Sequence, residues 1–441
     1  MEGLIMAGQL ILSLAILVTF HEAGHFLAAR AFGIKVEKFY LFFDAWGKKL
    51  FSFKRGDTEY GIGWLPLGGY VKIAGMIDES VDKEALKAEP QPWEFRSKPA
   101  WQRFIVMIGG IVVNVILGYL IFIMYLMNFE KDYVSTTVAN TDGIYAGAIA
   151  EQIGFEQGDK LISLNGKTYE RFNDYSGLEA FFGGEMVVER NGQEAVVAIP
   201  GDFFKTLKKN KGAFIDCKGE LYVKELSSDV TNAAKAGLLP GDQLLAVNDT
   251  NVVSFSQFSH MLSSNKGKQI SLSIGREGNQ MNLNSMVDSN GFLGFRPEVK
   301  QYEGSRTAYD LSSAVRYAFK DSWDVIYYNV IGFGKIFSGE IKAQESVQSI
   351  VGIATLYGGT WDWGRFWKLT AMISLILAFM NALPIPALDG GHMVFLVYEM
   401  ITGKPAPERV LLVAQYIGMA LLLLLMVLTI GNDIWRMVTG Q

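Results

Sequence analysis

Four long apolar stretches limit what this 441-residue chain can fold into more than any other feature. Leu4 to Phe20 is interrupted only by Gln9, Ser13 and Thr19, and Phe104 to Met127 holds one strongly polar residue, Asn114. Leu369 to Ile385 runs into a proline-broken segment, and Val410 to Ile430 is rich in leucine. About 17–25 apolar residues suffice for a helix to cross a bilayer, so each stretch predicts a transmembrane helix. Buried helices of a large soluble core would read alike for the first and third. The second and fourth are too long and too free of charge for that.

Hydrophobic residues make up 50% of the chain and charged ones 19%. That mixture is too apolar for an ordinary soluble protein and not apolar enough for a transporter that is greasy throughout. A few membrane helices joined to a sizeable water-soluble portion are implied. The net charge of −5 argues against a nucleic-acid partner. Cys217 is the only cysteine, which excludes disulfides within the chain and cysteine-rich zinc sites.

Lysine and arginine counts orient the helices. None precedes Phe20, whereas Ala29 to Arg103 carries thirteen. This loop is expected in the cytoplasm and the N-terminus outside. By alternation the segment from about 129 to 365 and the C-terminus also lie outside. The first helix lacks the basic region and cleavage site of a signal peptide, so it is expected to be retained.

The outer segment contains a repeat. Gly154-Phe-Glu-Gln-Gly158-Asp159-Lys-Leu161 aligns with Gly237-Leu-Leu-Pro-Gly241-Asp242-Gln-Leu244, and the match continues through Asn165/Asn248 and Phe172/Phe255. Each copy reads as a short helix, a Gly-Asp turn and an alternating strand, with a later hairpin signal at Arg190-Asn-Gly192 or Arg276-Glu-Gly278. Two copies of one module follow, at 129–212 and 213–302.

His21-Glu22-Ala23-Gly24-His25 continues the first apolar helix. Histidines four residues apart share a helical face and can hold one metal ion, with Glu22 placed to take a proton from a water that the ion polarises. Titratable groups inside a membrane helix point to function. His21 falls about 25 Å along the helix, towards its cytoplasmic end. A hydrolytic zinc site usually takes three protein ligands. The residues after His25 supply no third ligand, and the candidate is Asp389 in Asn381-Ala-Leu-Pro384-Ile-Pro386-Ala-Leu388-Asp389-Gly-Gly391-His392. Pro384 and Pro386 break the helix before it, and His392 is a competing ligand. His260, inside the second repeat, reads as an ordinary surface or core residue.

"GLLPGDQLLAVND" looks like a bacterial PDZ domain, and the repeat resembles a tandem PDZ pair. Such domains add a peptide strand to a sheet edge; a purely steric or spacing role is the alternative. HEAGH together with NALPIPALDGG resembles the site-2 protease family of intramembrane zinc metalloproteases, in particular its bacterial branch with tandem PDZ domains. The resemblance implies zinc held by His21, His25 and Asp389, with Glu22 as general base. It also matches Trp64-Leu-Pro-Leu-Gly68-Gly69-Tyr70-Val-Lys72 to a cytoplasmic or membrane-re-entrant hairpin, preceded by alternating strands at Leu50–Phe53 and Thr58–Tyr60. Asn381 and Asn114 could hold substrate backbone groups or serve helix packing, and Pro384, Pro386, Gly68 and Gly69 complete the candidate substrate-binding set.

The fold expected is therefore a polytopic α-helical membrane protein with four transmembrane helices, two inserted PDZ-like β-rich domains and a small cytoplasmic, membrane-associated β-hairpin region. Its segments run 1–32 (first helix), 33–100 (loop and hairpin), 101–128 (second helix), 129–302 (both modules), 303–365, 366–400 (third helix) and 405–431 (fourth helix). Within 303–365, residues from about 307 to 345 read as amphipathic helices near the outer membrane surface, with core packing against the PDZ-like modules as the alternative. The function implied is regulated intramembrane proteolysis, in a bacterial cytoplasmic membrane, of single-pass substrates already cut by an upstream protease. Anti-sigma factors and remnant signal peptides are such substrates. A membrane-embedded PDZ scaffold with a non-catalytic metal site is the alternative.

Overall fold

The computed structural model of the chain describes residues 2–66, 68–76, 89–203, 206, 214–227, 231–300, 306–340 and 350–439. Parts of the expected loop, of both modules and of the 303–365 segment lie outside the described residues. The chain divides into two compact units, one formed by Met1–Lys131 with Asp310–Gln441 and the other by Asp132–Tyr309.

The first unit is a helical bundle with one small sheet. Its helices are α1 (Glu2–Ala31), α2 (Ala100–Tyr125), α3 (Leu311–Phe337), α4 (Ile350–Tyr357), α5 (Trp363–Ala382), α6 (Asp389–Thr402) and α7 (Glu408–Thr439). Among the described residues, the segments Glu2–Ala31 and Ala100–Glu130 are long and apolar enough to cross a membrane. The polar residues that interrupt the first stretch face inward. Gln9 and Ser13 are buried, the Thr370 hydroxyl donates to Ser13 Oγ over 3.0 Å, and the Gln9 amide donates to the Gly358 carbonyl over 3.2 Å. Ser374 donates to the main-chain oxygen of Asn114 over 2.7 Å, tying α5 to α2. Hydrogen bonds of this kind join helices that have no water to exclude.

The segment expected as the third helix, 366–400, is interrupted where its two prolines called for a break. α5 stops at Ala382, six residues including Pro384 and Pro386 follow, and α6 opens at Asp389. Proline lacks the N–H that would continue the ladder, and Ala387 takes a left-handed φ of 77° within the break. Helix α3 falls in the segment expected to form amphipathic helices. Its buried face (Ala314, Tyr317, Val325, Tyr328) packs along the bundle. Tyr119 of α2 meets Phe319, and Phe333 meets Phe379 of α5, two residues before Asn381. Trp323 and Val330 are exposed, so the helix carries apolar residues outside its buried face as well.

The sheet comprises β1 (Val36–Leu41), β2 (Lys49–Arg55), β3 (Thr58–Gly63) and β4 (Tyr70–Ile73), in the order β2-β3-β1-β4. The β2–β3 hairpin turns at Gly56, whose φ is 61°. Strand β1, not read from the sequence, inserts parallel to β3 and antiparallel to β4. Ala29, Val36, Ile73, Val106 and Leu396 form a shared core that fixes the sheet against α1, α2 and α6.

The second unit holds the two repeats, each with its own apolar core. The first has a three-stranded sheet of Lys160–Leu164, Gly184–Arg190 and Gln193–Ile199. In the second, Gln243–Val247, Gln269–Arg276 and Asn279–Met286 repeat that order, and Glu220–Leu226 and Phe295–Lys300 extend it. Arg190 binds the Asp159 carboxylate and the Gly154 carbonyl, and Arg276 binds Asp242 and the Gly237 carbonyl. Phe214, Ile215 and Cys217, beyond the division expected at 212, belong to the core of the first module.

Candidate metal centre

Helix α1 carries His21 and His25 one turn apart on the face it turns towards α2. That approach is close because both helices present glycine. A Cβ on Gly109 would lie 2.7 Å from the Gly24 carbonyl oxygen, and one on Gly110 would lie 2.7 Å and 2.8 Å from His21 Cε1 and Nδ1. Any larger residue at 110 would occupy the space of the imidazoles.

Asp389 arrives from the far end of the sequence, as the first residue of α6. The two glycines after it explain how it fits: a Cβ on Gly390 would come within 2.6 Å of the Ala382 carbonyl, and one on Gly391 would lie 2.7 Å from Pro386 Cα. The break between α5 and α6 is thus folded back onto the first turn of α6. Helix α7 closes over it, with Gly418 against Pro386. The half-buried Arg103–Glu399 ion pair ties α2 to the other end of α6.

Asp389 Oδ2 lies 3.2 Å from His21 Nε2 and 3.2 Å from His25 Nε2, and the two Nε2 atoms are 3.2 Å apart. Among the described residues these three side chains are the group able to hold a metal ion. Despite its two near neighbours, Asp389 Oδ2 is buried without a hydrogen-bond partner. His25 Nδ1 stands 2.8 Å from the Val106 carbonyl, which can only accept. The neutral His25 ring therefore keeps a lone pair on Nε2. Lone pairs from two imidazoles and a carboxylate that converge on one point suit a cation, and this N,N,O donor set with room for water suits zinc.

Glu22 is half-buried and lines the same cavity, of about 510 Å³, as His21, His25 and Asp389. The Val71 backbone N–H on β4 faces its carboxylate. Lys38, Tyr70 and Lys72 of the sheet line the opposite wall. Lys38 pairs with Asp44 at 2.8 Å, and the Tyr70 hydroxyl donates to the same carboxylate over 2.9 Å. Gly69 is also in the lining; a Cβ there would lie 2.7 Å from the Tyr40 carbonyl and 2.8 Å from Val18, so the strand approaches α1 closely. Gly68 beside it has a φ of 148°.

The remaining residues singled out in the sequence divide clearly. Asn381 lies beside the centre, its amide nitrogen 3.4 Å from His21 Nε2. Asn114 is fully buried behind His21, with its side-chain amide 3.2 Å from Nδ1, and is not among the residues that line the cavity. His392 lines the cavity without joining the converging trio. His260 is exposed on a helix of the second module. Sequence reasoning missed Val106, Val71 and Lys38, which act through main-chain groups or across the sheet. The Gly109-Gly110 pair was a readable signal of close helix approach.

The sequence model of peptidase family M50 matches residues 9–425. Similar proteins include the regulator of sigma-E protease RseP of Salmonella typhimurium, 30% identical over 97% of this chain and 98% of its own. Protease RseP of Yersinia pestis is 31% identical with the same coverage of both chains. A relative from Neisseria meningitidis whose name describes a zinc metalloprotease is 30% identical, again over 97% and 98%.

Proposed function

This chain belongs to peptidase family M50, the site-2 protease metalloendopeptidases, and on that premise we propose that it hydrolyses a peptide bond within or beside the transmembrane helix of a single-pass membrane protein. In this reading His21, His25 and Asp389 hold zinc and Glu22 is the general base. The observation that carries it is the meeting of Asp389 Oδ2 with both histidine Nε2 atoms at 3.2 Å, next to the half-buried Glu22.

The ion, when bound, supplies Lewis-acid polarisation of the scissile carbonyl and of the attacking water. Glu22 accepts the proton of that water and delivers it to the leaving amine, while the Val71 N–H keeps its carboxylate oriented. A helical substrate hides its peptide bonds in its own hydrogen-bond ladder. An unwound segment needs new partners, and strand β4 supports this step. Among the described residues it pairs with β1 alone, and Gly69 to Ile73 line the cavity. We read the free edge of β4, reached past Gly68 and Gly69, as the strand that receives the substrate. Asn381, its amide nitrogen 3.4 Å from His21 Nε2, and the break at Pro384 and Pro386 complete the substrate site in this reading.

The wider setting follows the same reading. In it the chain crosses a bacterial inner membrane four times, with the metal centre towards the cytoplasmic side and the two modules outside. The modules, PDZ-like in their paired sheets, restrict or select what enters. Substrates are membrane proteins already shortened by another protease, such as anti-sigma factors, or remnant signal peptides. Relatives that carry the name regulator of sigma-E protease RseP support this class.

The test compares wild-type, Glu22→Gln and Asp389→Ala protein in proteoliposomes with a single-pass substrate. Zinc near one ion per chain is expected in the wild type and in Glu22→Gln, and cleavage in the wild type alone. Asp389→Ala should lose both zinc and cleavage. Cleavage by Glu22→Gln would sink the assignment.

A further inference from the structure

The geometry points to Asn114 as the residue that decides which nitrogen of His21 carries the proton, a positioning role that rests on the zinc reading above. His25 illustrates what such a partner does. Its Nδ1 lies 2.8 Å from the Val106 carbonyl, so Nδ1 is the protonated nitrogen and Nε2 keeps its lone pair for the ion. His21 is turned the same way. Its Nε2 faces His25 Nε2 and Asp389 Oδ2 at 3.2 Å, and its Nδ1 stands 3.2 Å from the Asn114 side-chain amide.

A hydrogen on His21 Nε2 would point into the space where the three lone pairs converge. Nδ1 must therefore carry the proton and needs an acceptor. The Asn114 amide can present either end to it, since a half-turn exchanges oxygen and nitrogen. With the nitrogen towards His21, the amide donates to Nδ1, drives the ring proton onto Nε2, and leaves Oδ1 buried without a donor. With the oxygen towards His21, Oδ1 accepts from Nδ1–H and Nε2 is free to ligate. Asn114 is then the side-chain counterpart of the Val106 carbonyl, about two turns further along the same helix.

The surroundings fit a dedicated partner. Asn114 is fully buried, and its main-chain oxygen accepts the Ser374 hydroxyl over 2.7 Å. Gly110, one turn earlier, leaves no Cβ between α2 and the histidines. Groups that orient a ligating histidine in this way typically change metal affinity 10–100-fold when removed.

The experiment is a zinc titration against a competing chelator on purified full-length protein, with the substrate's KM measured alongside. Asn114→Leu, similar in size but without an acceptor, should weaken zinc about 10–100-fold. Asn114→Asp, which keeps an acceptor oxygen, should bind close to wild type. Asn114→Ala repeats the comparison should the Leu variant not fold. A wild type that binds no zinc would overturn the metal reading itself. A wild type that binds one zinc, with Leu and Ala variants equally tight, would overturn only the role of Asn114, and a raised KM with unchanged affinity would make it a substrate contact. Equal losses in the Asp and Leu variants would also overturn it, because packing alone would explain them.

Discussion

Gly24 of α1 and Gly109 of α2 bring their helices into backbone contact, such that a Cβ on Gly109 would lie 2.7 Å from the Gly24 carbonyl oxygen. The crossing sits beside the metal centre: His25 follows Gly24, and Gly110 follows Gly109 with its missing side chain opposite the His21 and His25 rings. Glycines here set the distance between the ligands and the groups that orient them.

Replacing Gly24 or Gly110 by alanine should therefore damage the site while every ligand residue stays in the sequence. Inserting one methyl group into a packed crossing costs about 1–3 kcal/mol. At Gly110 the neighbouring atoms are the imidazoles themselves. We expect Gly110→Ala to lose most of its zinc and Gly24→Ala to lower the unfolding temperature. Zinc content per chain and thermal unfolding in detergent check this; full zinc in Gly110→Ala would contradict the geometry.

The two modules should respond independently to loss of their matching ion pairs. Asp242 is 1% exposed, accepts two bonds of 2.7 Å from Arg276 and caps the Leu239 N–H at 2.8 Å. Asp159 does the same for Arg190 and the Glu156 N–H. Asp242→Ala should destabilise the second module by about 2–4 kcal/mol. Hydrogen exchange of the full-length protein should then accelerate across 220–300 and stay unchanged across 160–199. Uniform acceleration would mean that the modules do not hold separate cores.

The small sheet should weaken in acid. Glu59 on β3 accepts from Lys49 at 2.6 Å and from the Tyr40 hydroxyl at 2.8 Å, and these bonds, that of Lys49 foremost, hold its carboxyl down to about 2. A folded-state value below the unfolded one, near 4.3, contributes stability above that pH, and the contribution fades as pH falls through about 2. The pair is partly solvated, so the effect is small. Fluorescence of the stacked Trp46 and Trp64 pair should change between pH 5 and 2 in the wild type and less in Glu59→Gln. Equal responses would remove Glu59 from the account.

Much of the site could be read from residue types and spacing. Histidines four apart on a helix must share a face, and a carboxylate between proline breaks and glycines is conspicuous in an apolar stretch. The alternating strands at Leu50–Phe53 and Thr58–Tyr60 announced a hairpin because side-chain alternation is local. Strand β1 was missed because its role depends on β3 and β4 on either side, a non-local pairing. The neighbours of helix α3 were not legible, because an apolar face reveals burial without naming the partner.

The sequence by itself determined the apolar segments, the repeated modules, the His-Glu-His turn and the type of ligand that Asp389 could supply. These follow from local periodicity and from the chemistry of single residues. Only the tertiary structure decided that Asp389 meets His21 and His25 at 3.2 Å, that His392 stays outside the trio and that Asn114 stands behind His21 rather than in the cavity. Those outcomes depend on how closely α1, α2 and α6 approach, and glycine contacts between residues far apart in the chain set that distance.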